Sequence, residues 1–200
     1  MASRVPAASQ FAVYGPTFLD VVMGPLDGPP VPGREAWVEG ALMCAGGAAN
    51  QAIALARLGV PVCLHARVGV DQMGQFVDEM LVREGVDTSS CERVGDQNVT
   101  VSLSFGGDRA MTTRGTTALP RLGGGAPACL LADVRGISAN SEVVSAWRER
   151  GTWVLADTAW DEAGAWDTAD LEALRVADVC TPNKEEALAY ARTESVEDAA

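Results

Sequence analysis

Hydrophobic positions change their period several times along the chain, and each change marks a new element. Phe11 to Tyr14 is a short continuous apolar run that stops at Gly15-Pro16, and Val21 to Met23 is a second run beyond Thr17-Phe18-Leu19-Asp20. Both predict strands, and the Pro/Gly-rich stretch Gly24 to Gly33 predicts a loop. Ala36 to Met43 predicts a strand leading into Gly46-Gly47, which open an alanine-rich helix ending near Gly59. Pro61 to Val68 reads as one buried strand of the parallel type. From Asp71 the period becomes helical: Met73, Phe76, Val77, Met80 and Leu81 share one apolar face, and Gly85 supplies the stop.

Asn98 to Phe105 alternates strictly, with Val99, Val101, Leu103 and Phe105 on one side and Thr100, Ser102 and Ser104 on the other. With Gly106-Gly107-Asp108 and Arg109 to Arg114 behind it, this predicts a hairpin with one wettable face, outside the main sheet. From Leu119 the pattern settles into strand and helix in turn. The strands are Ala128 to Val134, Thr152 to Ala156 closing on Asp157, and Ala177 to Thr181; the helices are Ser141 to Arg150, Leu171 to Val176 and Lys184 to Arg192. Short connections between them predict an α/β fold, a parallel sheet covered by helices on both faces. Ligands of such sheets bind beyond the carboxyl ends of the strands, which places Gly15 to Asp20, Asp157 and Thr181 to Glu186 at the ligand edge.

Composition narrows the partners. The 200 residues suit one large domain and carry a net charge of -12, which argues against a nucleic-acid or anionic-membrane surface. The five cysteines, Cys44, Cys63, Cys91, Cys129 and Cys180, are scattered without a C-x-x-C and read as free thiols of a reducing compartment. MASRVPAASQ lacks the apolar core of a signal peptide, and no run reaches the length of a membrane span, so a cytoplasmic protein is expected.

Four places carry candidate chemistry. Gly46 and Gly47 let backbone approach a ligand, and the unpaired amides of the first helical turn point at whatever sits there. Asn50 is a polar residue in an otherwise apolar run, so it either binds a ligand or caps a neighbour. Asp20 lies between two apolar runs, where an unpaired carboxylate is costly. Asn183 and Glu186 form a capping box, and a carboxylate at that helix start also suits a magnesium ion held through water. His65, the only histidine, has no ligand motif beside it and reads as structural. No G-K-[ST] or G-x-G-x-x-G is present.

These elements together resemble the ribokinase/PfkB carbohydrate kinases over roughly residues 10 to 195. The family's first signature is similar to Ala45-Gly46-Gly47-Ala48-Ala49-Asn50-Gln51-Ala52, and its following segment to Arg67-Val68-Gly69-Val70-Asp71-Gln72-Met73-Gly74 with Glu84 to Ser89. Its N-x-x-E element resembles Asn183-Lys184-Glu185-Glu186. The resemblance implies a three-layer α/β/α sandwich with a small β-sheet lid from about residues 19–44 and 98–115, a lid that closes over the sugar and often mediates homodimers. It implies ATP and Mg2+ as cofactors, a sugar held by Asp20, Gly46, Gly47 and Asn50, and phosphates and magnesium organised by Asn183 and Glu186, the latter through water.

Departures qualify the substrate and the catalysis. Phe18 stands where ribokinases proper have a sugar-contacting asparagine, and Arg135 falls near where they have an acidic residue, which argues against ribose itself. The second signature, D-T-x-G-A-G-D, holds the catalytic base and is not found; Asp157 to Asp161 and Ala163 to Asp167 are fragments of similar composition that precede the N-x-x-E element. The chain is therefore expected to stop about two-thirds of the way through the family's fold and to be inactive alone. The alternatives are a sugar kinase, a nucleoside kinase of the same family, and a non-catalytic relative that binds a ligand or partner.

Overall fold

The computed structural model describes residues 11–161 and 163–199, so MASRVPAASQ lies outside the described residues. In chain order the strands are β1 Phe11–Tyr14, β2 Thr17–Leu26, β3 Gly40–Gly47, β4 Val62–His65, β5 Arg67–Val68, β6 Glu92–Arg93, β7 Asn98–Phe105, β8 Asp108–Arg114, β9 Cys129–Asp133, β10 Trp153–Asp157 and β11 Val179–Cys180. The helices are α1 Ala48–Arg57, α2 Gln72–Arg83, α3 Val134–Ala139, α4 Ser141–Glu149, α5 Lys184–Ala191 and α6 Val196–Ala199, with a 3-10 helix at Thr168–Val176. They belong to two compact units, one of residues 11–15, Val60–Cys63 and 121–199, the other of Pro16–Gly59 and Leu64–Pro120.

The first unit is organised on a five-stranded sheet of order β11-β10-β9-β1-β4, in which the β1–β9, β9–β10 and β10–β11 pairs are parallel. Its strands are short and apolar: Val13, Leu130 and Val154 are fully buried, together with Val134 and Val144 from the helices, whereas Trp153 of β10 and Val179 of β11 are exposed. The helix starts are fixed by short polar side chains, Asp133 accepting from the Gly136 amide and Asn183 from the Glu186 amide. Helix α3 is not evident in the hydrophobic period, since it is only six residues long and begins directly on the last strand residue. The segment Leu171 to Val176 belongs to the longer 3-10 helix, and the strand expected over Ala177 to Thr181 shrinks to two residues.

The second unit holds a four-stranded sheet, β3-β2-β7-β8, with the hairpin Asn98 to Arg114 at one side of it and apart from the parallel sheet. Strand β2 continues through Gly24 to Leu26, so the expected loop starts later than its Pro/Gly content suggests. Strand β3 begins at Gly40 and runs through both glycines, to the first residue of α1.

The expected single strand Pro61 to Val68 is instead two. Strand β4 ends at His65, the buried Ala66 carbonyl accepts from the Glu92 amide (2.9 Å), and β5 pairs with β6 in its own parallel ladder. Leu64, Ala66 and Val68 are buried on both sides of the break, and hydrophobicity alone does not show where a strand breaks. On α2, Val77 and Leu81 are buried as the period requires, whereas Met73 is 46% exposed. The expected wettable face of β7 is inverted: Asn98, Thr100 and Ser102 are buried, while Val101 is exposed. Small hydroxyls disappear under neighbouring bulk once paired, and Thr100 Oγ1 lies 3.0 Å from Thr113 Oγ1.

A buried polar network ties the base of the four-stranded sheet to the start of α2. The Thr17 carbonyl accepts from Gln97 Nε2 (3.0 Å) and Asn98 Nδ2 (3.2 Å), while Gln97 Oε1 accepts from the Gly69 amide (2.9 Å). Asp71 caps α2 by accepting from the Gly74 amide (2.8 Å) and also accepts from the Gln97 amide (3.3 Å). Gln97→Leu keeps the volume but leaves the Gly69 N–H without its acceptor in a buried place. The expected loss is about 1–3 kcal/mol, read from urea unfolding midpoints; an unchanged midpoint would mean that water replaces the side chain. Among the described residues no helix is long and apolar enough to cross a membrane, and all five cysteines are free.

Candidate functional site

In the second unit, the antiparallel pairing of β2 with β3 sets Phe18 opposite Gly46 and Asp20 opposite Cys44. Pleating sends Phe18 and Asp20 to the same side of the sheet, so the Asp20 carboxylate hangs over Gly46. A Cβ at Gly46 would lie 1.9 Å from Asp20 Oδ2 and 2.3 Å from Cγ; the glycine is what gives that carboxylate its place. Gly47 follows with φ 63°, and a Cβ there would meet the Pro16 carbonyl oxygen at 2.4 Å and the Phe18 ring at 2.7 Å. Only glycine satisfies both conditions. The chain turns at this point directly into α1, whose first amide is bonded to the Pro16 carbonyl (2.9 Å) and whose start has no side-chain cap.

Asp20 is half-buried and makes no hydrogen bond or ion pair among the described residues. Burial pushes its pKa above the usual carboxylate range, opposed by the charge of Arg109. Asn50 stands in the first turn of α1, exposed, and its side chain makes no hydrogen bond either. The reading of Asn50 as a residue bonded to a neighbouring loop therefore has no partner among the described residues. Cys44, across from Asp20, has its thiol pKa raised by burial and then by the Asp20 charge, which keeps it neutral. The Asp20 carboxylate thus lies over Gly46, two residues before the uncapped start of α1 on which Asn50 stands.

In the first unit, Asn183 and Glu186 form the complete capping box: Asn183 Oδ1 accepts from the Glu186 amide (2.9 Å), and Glu186 Oε2 from the Asn183 amide (3.1 Å). The same Oε2 also accepts from Thr158 Oγ1 (2.7 Å), which ties α5 to the end of β10. Glu186 is buried, and among the described residues its Oε1 accepts no hydrogen bond. Beside it, Asp157 has a raised pKa, caused first by burial and then by the Glu186 charge, and offset by the Thr158 and Ala159 amides. Among the described residues no three histidine, cysteine or acidic side chains converge on one point. This donor set does not enclose a bare cation but fits an ion that keeps its waters and takes one carboxylate through them.

The signature-like fragment after β10 has a different use. Asp161 accepts from the amides of Ala163 (3.1 Å), Ala165 (2.9 Å) and Trp166 (2.8 Å), and Arg135 donates to it (3.2 Å). Those donors hold its pKa below the usual range, and they occupy the carboxylate as a loop organiser. Sequence reasoning missed Thr158, Cys44 and Arg109. Alternation along β3 and β8 marks the last two; nothing local marks Thr158, whose partner is 28 residues away.

The raised Asp157 makes a pH prediction. A carboxyl whose folded pKa exceeds its unfolded value stabilises the fold only while protonated, below about pH 4, and that contribution is lost as pH rises through the folded value. At neutral pH the charged Asp157 therefore opposes folding. Asp157→Asn should raise stability at pH 7 by a few tenths of a kcal/mol, because the group is half-exposed and screened, and the gain should vanish toward pH 4. Urea midpoints measured from pH 4 to 8 check this; a gain constant with pH would place its origin elsewhere.

Residues 38–118 match the pfkB family carbohydrate kinases. A stretch of 56 residues, 28% of this chain and 17% of the relative, is 45% identical to the 2-dehydro-3-deoxygluconokinase of Bacillus subtilis (strain 168). The fold is that of Arabidopsis thaliana ribokinase complexed with ribose and ATP, with a TM-score of 0.75 and 22% identity over 96% of this chain and 66% of that one. It is also similar to ribokinase from Cryptococcus neoformans var. grubii serotype A in complex with ADP, with a TM-score of 0.73 and 22% identity over 95% of this chain and 64% of that one. The chain thus spans about two-thirds of the length of these solved relatives.

Proposed function

We propose that this chain, similar to the pfkB carbohydrate kinases in sequence and to ribokinases in fold, binds a sugar for ATP-dependent phosphorylation of one of its hydroxyls. The observation that carries the proposal is Asp20, a half-buried carboxylate without a partner, given its place by a glycine whose Cβ would occupy it. Such a group is costly unless a ligand completes it, and vicinal hydroxyls do so by donating to both oxygens. Asn50 adds a donor and an acceptor at a third hydroxyl, and Gly46 and Gly47 allow the sugar to approach backbone.

Asn183 and Glu186 serve the nucleotide side of the reaction. Magnesium, when bound, would neutralise phosphate charge, and Glu186 would hold it indirectly, through water. The capping box keeps that carboxylate fixed on α5, so the charge is positioned before the nucleotide arrives. Catalysis of this type depends on positioning and exclusion of water more than on covalent chemistry. The four-stranded sheet is the cover over the sugar in this reading and the place where two copies pair; exposed Leu42, Met43 and Met111 on it support that pairing. A cytoplasmic location goes with the five free thiols.

Titration calorimetry with pentoses, hexoses, nucleosides and sugar acids tests the proposal. Saturable binding of one sugar class, lost in Asp20→Asn with the fold intact, is the expected result. Nucleoside binding alone would move the reading to a nucleoside kinase, and binding indifferent to Asp20 would remove the sugar site.

A further inference from the structure

Thr158 stands between two carboxylates and donates to both. Its hydroxyl gives its proton to Glu186 Oε2 (2.7 Å), and its backbone amide bonds to the Asp157 carboxylate. Thr158 is 3% exposed and Glu186 5%. Asp157 has its pKa raised by burial and then by the Glu186 charge, so the two carboxylates sense one another. Among the described residues no arginine or lysine pairs with either. A buried carboxylate without a counter-ion depends on hydrogen bonds for its place. Glu186 has two, and both end on one oxygen: Oε2 accepts from Thr158 and from the Asn183 amide (3.1 Å), while Oε1 accepts none among the described residues.

Helix α5 is held by other means as well. The Thr181 amide bonds to the Ala156 carbonyl (2.9 Å), which ties the chain just before α5 to β10. Asn183 caps the Glu186 amide without help from Thr158. Farther along, Tyr190 Oη donates to Asp170 (3.3 Å), and its ring packs edge-to-face on Trp166 with centroids 5.2 Å apart. What the Thr158 hydroxyl adds is the direction of a carboxylate. The terminal torsion of a glutamate is broad, so with one donor fewer the carboxyl is free to turn and exchange its two oxygens.

We infer that Thr158 is a positioning residue for the nucleotide side of the reaction: by holding Oε2 it keeps Oε1 as the oxygen left free for the water of a hydrated magnesium ion. This rests on the reading of Glu186 as the magnesium-organising residue and adds to it the group that sets its orientation. Replacing a residue that orients a metal-organising group typically costs about 10- to 100-fold in metal affinity.

ATP is titrated calorimetrically, in Mg2+ and in EDTA, into the native protein, Thr158→Val, Thr158→Ser and Tyr190→Phe, and Mn2+ binding in the presence of ATP is followed by water proton relaxation. The native protein should bind ATP more tightly with Mg2+. Thr158→Val should reduce that gain by about ten-fold or more and weaken Mn2+ binding in parallel, with binding in EDTA unchanged. Thr158→Ser, which keeps the hydroxyl, should restore most of both. Tyr190→Phe removes a tie of α5 that does not touch Glu186, so the Mg2+ gain should survive it. An unchanged gain in Thr158→Val overturns the inference and leaves the magnesium reading standing. So does loss of the fold in Thr158→Val, an equal loss with Mg2+ and in EDTA, or the same loss of gain in Tyr190→Phe, for then the hydroxyl holds α5 in place and does not orient a carboxylate. A native protein that binds no ATP, or binds it indifferently to Mg2+ and Mn2+, overturns the magnesium reading and the inference together.

Discussion

Gly46→Ala is expected to abolish sugar binding, with an effect larger than removal of the Asp20 charge itself. The new methyl would sit 1.9 Å from Asp20 Oδ2, 2.3 Å from Cγ and 2.5 Å from Oδ1, well inside contact distance for all three. One of the two must leave, and the half-exposed carboxylate is freer to move than a residue in the β2–β3 ladder. Asp20→Asn keeps a hydrogen-bonding group in place and should cost one to two powers of ten in affinity, about 1–3 kcal/mol. Asn50→Ala should cost a similar amount. Gly46→Ala displaces the group and fills the space, so a loss of two powers of ten or more follows, from two contacts at that magnitude. The melting temperatures of Asp20→Asn and Asn50→Ala should stay nearly unchanged, because neither side chain bonds to the chain. Sugar titrations and thermal melts on the three variants decide the matter. A large fall in melting temperature with unaltered affinity would mean that these residues hold the fold and not a ligand.

The second large effect concerns transfer of phosphate. The 200 residues contain no D-T-x-G-A-G-D, and the carboxylates that resemble part of it are otherwise engaged: Asp161 accepts three backbone amides and an arginine. No other group has been placed beside the acceptor hydroxyl to take its proton, a role worth about two to four powers of ten in rate. The 200-residue chain is therefore expected to bind ligands but to show no ATP-dependent phosphorylation of any sugar above the uncatalysed background. Coupled assays with the purified chain over a panel of sugars and sugar acids measure this directly. Turnover that survives replacement of Asp157 would point to a base elsewhere in these residues, and turnover lost with it would give Asp157 that role.

Much of this organisation was legible because period reports burial. The parallel strands, α1, α2, α4 and α5 lie close to where apolar spacing places them, and the Asn183–Glu186 box is visible as two residue types three apart. Period fails where burial does not follow polarity. Thr100 and Ser102 are hidden and Val101 is exposed: the Thr100 hydroxyl is paired with Thr113 across the strands and so buries at little cost, while an apolar side chain on an uncovered face remains in solvent. Hydropathy also could not separate β4 from β5, because both are buried on either side of the break. Within the candidate site, Gly46 and Asp20 were each suspected for a separate reason. That the first exists to accommodate the second depends on a two-strand register, and register is not a property of either strand alone. Arg109 and Thr158 matter for the same kind of reason, one through its charge on Asp20 from another strand, the other through a single oxygen of Glu186.

The network around Thr17 has a consequence for how the second unit opens. Its carbonyl receives two side-chain amides, and Gln97 passes the connection on to Gly69 and Asp71, so the start of β2, the start of β7 and the first turn of α2 share one set of bonds. None of those bonds can open singly without leaving a buried polar atom unpaired. In hydrogen–deuterium exchange the amides of Gly69, Gly74 and Gln97 should behave as one cooperative unit, protected nearly to the level of global unfolding. The far ends of β3 and β8, with Ala41, Leu42 and Met43 exposed and β8 exposed throughout, should exchange through local fraying long before them. Slow and fast labelling would thus divide one continuous sheet into a clamped base and a loose rim, with Asp20 between the two.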